Sequence, residues 1–220
     1  MEFFNVKSAK GRSLDLHLSK AHFRLGTDIF TTDFLFKDLA VPVYWLRYDV
    51  KRVQLSSRAK GLIRKNDKFE VISRPFTLTN ELEGLYYDYW ISLDFDPHGL
   101  NTYIDGMNIF DTNLIEIRDA GKLVAAGFFD KGNSSIAGTM NIYHPEYKKY
   151  SLGIYLILMK HRYCLENNIQ WFYPGYICPD YPKFNYKLDL DRSATEVFDS
   201  SAKKWVPYLD FSKSVSHLVS

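Results

Sequence analysis

The stretch from Gly121 to Lys187 constrains the fold of this chain most, because it packs three strand patterns, a helix pattern and their turn signals into one short unit. It opens with an apolar run that ends on a lone acid, Leu123-Val-Ala-Ala-Gly-Phe-Phe-Asp130, and turns through Lys131-Gly132-Asn133. A second strand pattern, Ser135 to Tyr143, is stopped by His144-Pro145. Tyr147 to Gly153 reads as a short basic loop delivering the chain into a helix, from Ser151 or Leu152 to about Asn167. Ile169 to Ile177 closes the unit as a further strand, giving β-turn-β-loop-α-β. A helix N-terminus then faces the end of a strand, where free backbone N–H groups and partial positive charge suit a phosphate or a developing oxyanion.

Around that unit, 220 residues with 46% hydrophobic and 25% charged side chains fit a soluble globular protein of one domain, or one domain plus an appendage. No apolar run reaches the ~18 residues of a membrane span and Met1–Asn5 carries no signal-peptide pattern, so the expectation is a cytoplasmic protein without membrane contact. Cys164 and Cys178 are the only cysteines, with no C-x-x-C and six scattered histidines, which predicts neither a disulfide framework nor a metal site. The net charge of +2 hides a division: eight basic residues against Asp49 and Asp67 between Arg47 and Lys68, then nine acids against Arg118 alone between Leu78 and Asp119. Such a positive face holds polyanions, although a solvated helix face explains it equally well.

In chain order, residues 1 to 40 show no clean period. Val41 to Tyr48 reads as a strand, and Leu55 to Asn66 as a helix capped by Ser56 or Ser57, with Ala59, Leu62 and Ile63 on one side and Arg58, Lys60, Arg64 and Lys65 around the rest. Lys68 to Arg74 predicts another strand. A helix from Thr79 carries the stripe Leu82, Leu85, Tyr86, Tyr89 and Trp90, spaced for core packing. Asp94 to Gly99 breaks it, Asp105-Gly106 marks a turn, and Asn113–Arg118 with Lys122–Phe129 forms a hairpin across Asp119-Ala-Gly121.

Three groups of side chains carry chemistry. Lys148, Lys149, Ser151 and Gly153 make an anion site at the helix start, through two cations, a capping hydroxyl and a glycine that admits close backbone approach. Asp130 ends an apolar strand, so it needs a partner or a wet cleft; it either accepts hydrogen bonds from a bound cationic group or caps the Lys131-Gly132 turn. Tyr173, Tyr176, Tyr181, Lys183, Tyr186 and Lys187 form the densest aromatic-cationic patch, suited to stacking unpaired bases while lysines meet phosphates. His161 falls mid-helix and reads as structural, and no catalytic base is assigned.

Asp130, Tyr143-His-Pro-Glu-Tyr147, Ser151-Leu-Gly153 and Gly175-Tyr-Ile-Cys-Pro-Asp-Tyr-Pro-Lys-Phe-Asn-Tyr-Lys187 resemble the signatures of the arginyl-tRNA–protein transferases and their bacterial leucyl-transferring relatives. The resemblance is close from Asn113 to Lys187 and looser back to Arg47. It implies an α/β fold of the GNAT acyltransferase type, a mixed central sheet flanked by helices over residues 67–200, with an N-terminal segment 1–66 bearing the basic helix and a tail 201–220. It also implies transfer of an amino acid, arginine before leucine, from charged tRNA to the N-terminal α-amine of acceptors beginning with an acidic residue. Aminoacyl-tRNA is then the co-substrate and no cofactor is needed. Asp130, Tyr173 and Tyr176 would line the aminoacyl pocket, and Arg58, Arg64, Lys65, Tyr181, Lys183 and Lys187 would hold tRNA. The chain departs from the family in lacking upstream paired cysteines, with Thr31-Thr-Asp33 and Ala40-Val-Pro42 there instead, and in having Asp180, Tyr181 and Phe184 where Gly, Cys and Met are common. A CoA-dependent N-acetyltransferase and a non-catalytic tRNA- or peptide-binding module are the alternatives.

Overall fold

Continuous apolar runs such as Leu123–Phe129 are what a strand covered on both faces requires, and the computed structural model, which describes residues 1–36, 40–93, 99–100 and 108–214, places that run at the heart of an eight-stranded sheet. Across the sheet the strands run β13 (Lys204–Pro207), β12 (Thr195–Asp199), β6 (Tyr44–Asp49), β11 (Trp171–Ile177), β10 (Ser135–Tyr143), β9 (Lys122–Lys131), β8 (Thr112–Asp119) and β7 (Glu70–Pro75). Neighbours are antiparallel except β10 and β11, which run parallel because helix α4 (Leu152–Glu166) carries the chain back between them. The sheet is therefore mixed and flanked by helices, as expected. It also crosses both proposed boundaries: β6, from the first 66 residues, lies in its middle, and β13, from the last 20, forms its edge.

Two of the predicted helices start where their caps place them. Ser56 accepts from Ala59 N–H at the start of α2 (Ser57–Lys65), and Thr79 accepts from Leu82 N–H at the start of α3 (Asn80–Trp90). One face of the sheet buries Phe129, Ile115, Ile117 and Phe172 under α4, and α2 adds Ala59, Leu62 and Ile63 to that cluster. The opposite face packs Leu114, Phe128 and Ile142 against Leu82 and Leu85 of α3. Tyr86 and Tyr89 join at that cluster's edge, but Trp90 is 43% exposed, so the predicted stripe ends one residue early. The hairpin turn pairs Asp119 with Lys122 across Ala120 and Gly121, both at positive φ, the requirement of a type I′ turn.

Residues 1–36, which lack a period, form a small antiparallel sheet ordered β1 (Glu2–Phe4), β3 (Asp28–Thr31), β2 (Phe23–Leu25), with helix α1 (Arg12–Ser19). The predicted strand from Val41 divides at Val43 into β5 (Ala40–Pro42), paired with β4 (Phe34–Phe36), and β6. Helix α5 (Tyr208–Ser214) packs on β12 and β13. The predicted break at Asp94–His98 and the Asp105-Gly106 turn lie outside the described residues. No described helix is long and apolar enough to cross a membrane.

Candidate active site

The parallel pairing of β10 with β11 lasts only three residues, Ser135–Ala137 against Trp171–Tyr173. Immediately beyond, β10 slips register on β9 between Gly138 and Met140, and β11 slips on β6 between Phe172 and Gly175. Such irregularities bend strands and increase their twist, and the β10–β11 ladder is not continued beyond Ala137 and Tyr173. Lys160 of α4 supports the irregular segment from below: its Nζ donates to Phe128 O at 2.7 Å, Asn141 Oδ1 at 2.8 Å and Met140 O at 3.4 Å. Gly127 makes room for it, since a Cβ there would stand 3.0 Å from Lys160 Cε. Burial lowers the Lys160 amine to about 7, with Asp130 pulling the other way.

Beyond the end of β10 the chain leads to the N-terminus of α4. The basic stretch before it is a 3₁₀ helix, Pro145–Tyr150, not an open loop; its N-cap is His144, whose Nδ1 accepts from Glu146 N–H at 3.4 Å. Ser151 adopts the left-handed conformation with φ 51°, and its carbonyl, not its hydroxyl, takes the Ile154 and Tyr155 N–H groups. The expected hydroxyl cap is thus absent, and the Leu152 and Gly153 amides stand at the open end of the helix. Gly153 lies against Tyr143, with 3.7 Å from a built Cβ to Tyr143 Cε1. The Tyr143 ring is 5.5 Å from that of Tyr89. Burial pushes Tyr89 and Tyr186 up to about 12, and each also feels Tyr143. Helix α2 closes the far side: a cavity of about 200 Å³ is lined by Arg58, Leu62, Lys65, Ser151, Ile154, Tyr186 and their neighbours. Lys65 Nζ donates to Lys149 O at 2.5 Å, tying α2 to the helix start.

Two groups predicted separately are therefore adjacent, Arg58 and Lys65 of the basic helix with Lys149 and Ser151. Arg58, Arg64, Lys65, Lys148 and Lys149 are all exposed, as phosphate contacts must be, and so is Lys183, while Tyr181 is half-buried. Lys187 is not: it is 8% exposed, with Nζ 5.7 Å from the Tyr176 ring and 5.1 Å from those of Phe184 and Tyr186. A side chain enclosed in that way does not reach a tRNA backbone. Tyr173 is buried as well, edge-on to Phe23 and Trp205 in a cluster that Tyr176 joins through Trp45.

Asp130 has the partner its burial demanded, and it is internal. Arg24 of β2 donates from Nη1 at 3.1 Å and Thr112 Oγ1 at 2.6 Å, with the Asp130 side chain wholly buried. Sequence reading missed Arg24 because it lies in a segment without period, 106 residues away. It also placed Tyr89 in the core, where helical spacing alone put it; only the fold brings Tyr89, Tyr143 and Tyr186 together.

The model of the arginine-tRNA-protein transferase C terminus matches residues 80–196, from α3 to β12, and so contains β10, β11, α4 and the turn bearing Lys187. The chain belongs to the arginine-tRNA-protein transferase family. Within that family, an aspartate/glutamate leucyltransferase of Leptospira interrogans is 26% identical over 174 residues, 73% of this chain and 66% of that protein. A Campylobacter jejuni protein of the same name is 28% identical over 155 residues, 66% of this chain and 64% of its own length. Arginyl-tRNA–protein transferase 1 of Saccharomyces cerevisiae is 36% identical over 87 residues, 40% of this chain and 17% of that one. The chain thus spans at most 66% of these relatives. Among solved structures, L-PGS from Bacillus licheniformis superposes with a TM-score of 0.44 at 13% identity, over 76% of this chain and 50% of that chain, too slight a likeness to carry an argument.

Proposed function

We propose that this chain is an aminoacyl-tRNA–protein transferase, moving an amino acid from the 3′ ester of charged tRNA to the α-amine of a protein that begins with Asp or Glu and so marking that protein for degradation. The observation that carries this reading is that the family match spans 80–196, which includes β10, β11 and the α4 N-terminus. Arg58, Arg64 and Lys65, with Lys148 and Lys149, hold tRNA phosphates on the exposed basic face. The Tyr143 and Tyr186 rings stack the terminal nucleotide, and the cavity between α2 and α4 takes the aminoacyl side chain. The Leu152 and Gly153 amides face the ester carbonyl as it becomes an oxyanion, where fixed donors and the helix dipole favour negative charge.

The donor in this reading is leucine, in place of the arginine expected from sequence. The acid that was to meet a guanidinium already holds Arg24. The cavity is walled by Leu62, Ile154, Ile157 and Leu158, and Asp189, the one acid lining it, is exposed, where an ion pair contributes little. The Leptospira and Campylobacter relatives, which overlap 73% and 66% of the chain, are leucyltransferases by name. Incubation with tRNAs charged with labelled leucine or arginine, and with peptides beginning with Asp, Glu or Ala, tests the reading. The expected result is label passing from leucyl-tRNA to the Asp and Glu peptides. Transfer from arginyl-tRNA alone reverses the donor, and acetylation from acetyl-CoA with no transfer from any tRNA replaces the reaction. Binding of charged tRNA without turnover leaves a tRNA-binding module.

A further inference from the structure

Of the α2 residues that line the cavity against α4, Gly61 alone has no side chain, and neither backbone nor packing requires a glycine there. It is the fifth of the nine helical residues, an interior position where glycine is the worst choice after proline and alanine the best. Its φ is not among the positive ones, so alanine fits the same backbone. A Cβ built on Gly61 meets nothing within 4 Å among the described residues, whereas at Gly132 and Gly127 it would stand 2.1 Å from Asp15 Oδ1 and 3.0 Å from Lys160 Cε. Gly61 is half-buried and lines the cavity, so the open space beside its Cα belongs to the cavity. We infer that Gly61 sets the size of the aminoacyl side chain that this cavity accepts, an assignment that rests on the transfer reaction and the use of the cavity proposed above.

The wall that carries Gly61 is held at both ends, so volume added there is lost to the cavity. Ahead of α2, Gln54 N–H donates to the Asp191 carboxylate at 2.7 Å. At its C-terminal end Asn66 Nδ2 donates to Tyr150 O at 3.0 Å, and Lys65 Nζ donates to Lys149 O. Between these ties Ala59, Leu62 and Ile63 pack into the core cluster that also holds Ile157 and Leu158 of α4. Backing the helix away would break those bonds and open that core, which costs more than losing empty space. The facing wall is Ile154, Ile157 and Leu158, apolar and branched, and suited to an aliphatic group. An apolar cavity of ~150 Å³ admits benzene, and this one, at about 200 Å³, has room for a branched four-carbon side chain while residue 61 is glycine. In such a pocket one methylene more or less changes discrimination about 10–200-fold. A single methyl at position 61 is therefore enough to move the choice between a large donor side chain and a small one. Contacts to tRNA phosphates are the same whatever amino acid the tRNA carries, so they do not make this choice.

One tRNA, charged in turn with leucine and with alanine, keeps the phosphate contacts constant and isolates the cavity in a transfer assay to a peptide beginning with Asp. Wild type should prefer leucine. Gly61→Ala should lower the leucine-to-alanine ratio of kcat/KM by about tenfold, and Gly61→Val by about a hundredfold. Gly61→Ala should also raise the urea midpoint, because a helix former replaces glycine at an open position. Gly84 of α3 is the control: a Cβ there also meets nothing within 4 Å among the described residues, but Gly84 is exposed and does not line the cavity. Gly84→Ala should raise the midpoint too and leave the ratio as in wild type. A ratio that Gly61→Ala leaves unchanged, or that Gly84→Ala moves as far, overturns the assignment. So does a Gly61→Ala midpoint below wild type, which would show that the Cβ meets neighbours and not open cavity. A wild type that transfers arginine alone removes the cavity as an aliphatic donor site, and this role with it. A wild type that transfers nothing from any charged tRNA brings down the proposed reaction itself, whereas preference for leucine with an unmoved ratio in the Gly61 variants removes only the role of Gly61.

Discussion

Lys160 and Lys187 share a lowered pKa and differ in everything around it. Lys160 sits under the irregular segment of β10 and gives its protons to two carbonyls and an amide oxygen, whereas Lys187 meets rings. Replacing Lys160 by Met strands Phe128 O and Asn141 Oδ1 in the interior, at a cost of about 2–3 kcal/mol. Lys187→Met strands nothing and removes a desolvated amine, so its unfolding free energy should match or exceed wild type. Urea unfolding of the two variants at neutral pH decides it, and equal losses would contradict the difference in partners. Sequence could not separate them: Lys160 had no reading at all, and Lys187 was set among surface phosphate contacts because it follows a run of tyrosines. What buries it is the way the 3₁₀ turn folds back over Gly175, a long-range event.

Among the elements, those with local signals were legible and those held by distant partners were not. Caps at Ser56 and Thr79, the turn at Ala120-Gly121 and the apolar runs of β9, β10 and α4 are written within a few residues, and each element formed there. The small sheet of residues 2–31, the central place of β6 and the edge pair β12–β13 depend on pairing across the chain, where no local pattern points. Half of the site follows the same division: the start of α4 and the basic face of α2 were legible, but their adjacency and the tyrosine cluster were not. Asp130 and Arg24 illustrate the cost of a distant partner, since their ion pair pins β2 to β9, with side chains 0% and 3% exposed. Asp130→Asn leaves the Arg24 cation buried beside an amide, and losing one member of such a pair costs about 3–5 kcal/mol. The expected outcome is a large fall in the urea midpoint, with the ratio of leucyl to arginyl transfer unchanged at low temperature. A selective loss with arginyl-tRNA would instead put Asp130 in the aminoacyl pocket.

For the whole molecule, the sum of perturbed groups sets the pH at which this fold is most stable. His17, His22 and His161 are lowered, chiefly by burial, so the unfolded chain takes up their protons first and stability falls as acid is added below about 6.5. Lys160 and Lys187, lowered to about 7, act in the same sense at higher pH. Between there and about 10.4 the unfolded chain holds two lysine protons that the native state has given up, so stability climbs with pH at up to about 1.4 kcal/mol per unit for each. Opposing them, burial raises Cys164 and Cys178, whose unfolded thiols ionise from about 8.5 and begin to offset the lysines. Burial also raises Tyr48, Tyr89, Tyr173 and Tyr186, and above about 10 the unfolded chain loses these phenolic protons first, so the tyrosines outweigh the lysines. The stability maximum should therefore lie near pH ~9, on the alkaline side of the usual range of about 5 to 8. Urea midpoints at about pH 6, 7.5, 9 and 10.5 should rise over the first three and fall at the last, and Lys187→Met should flatten the rise, since it removes one of the two protons that drive it. A midpoint that stays level from about pH 6 to 9 would mean that both amines remain charged in the folded protein.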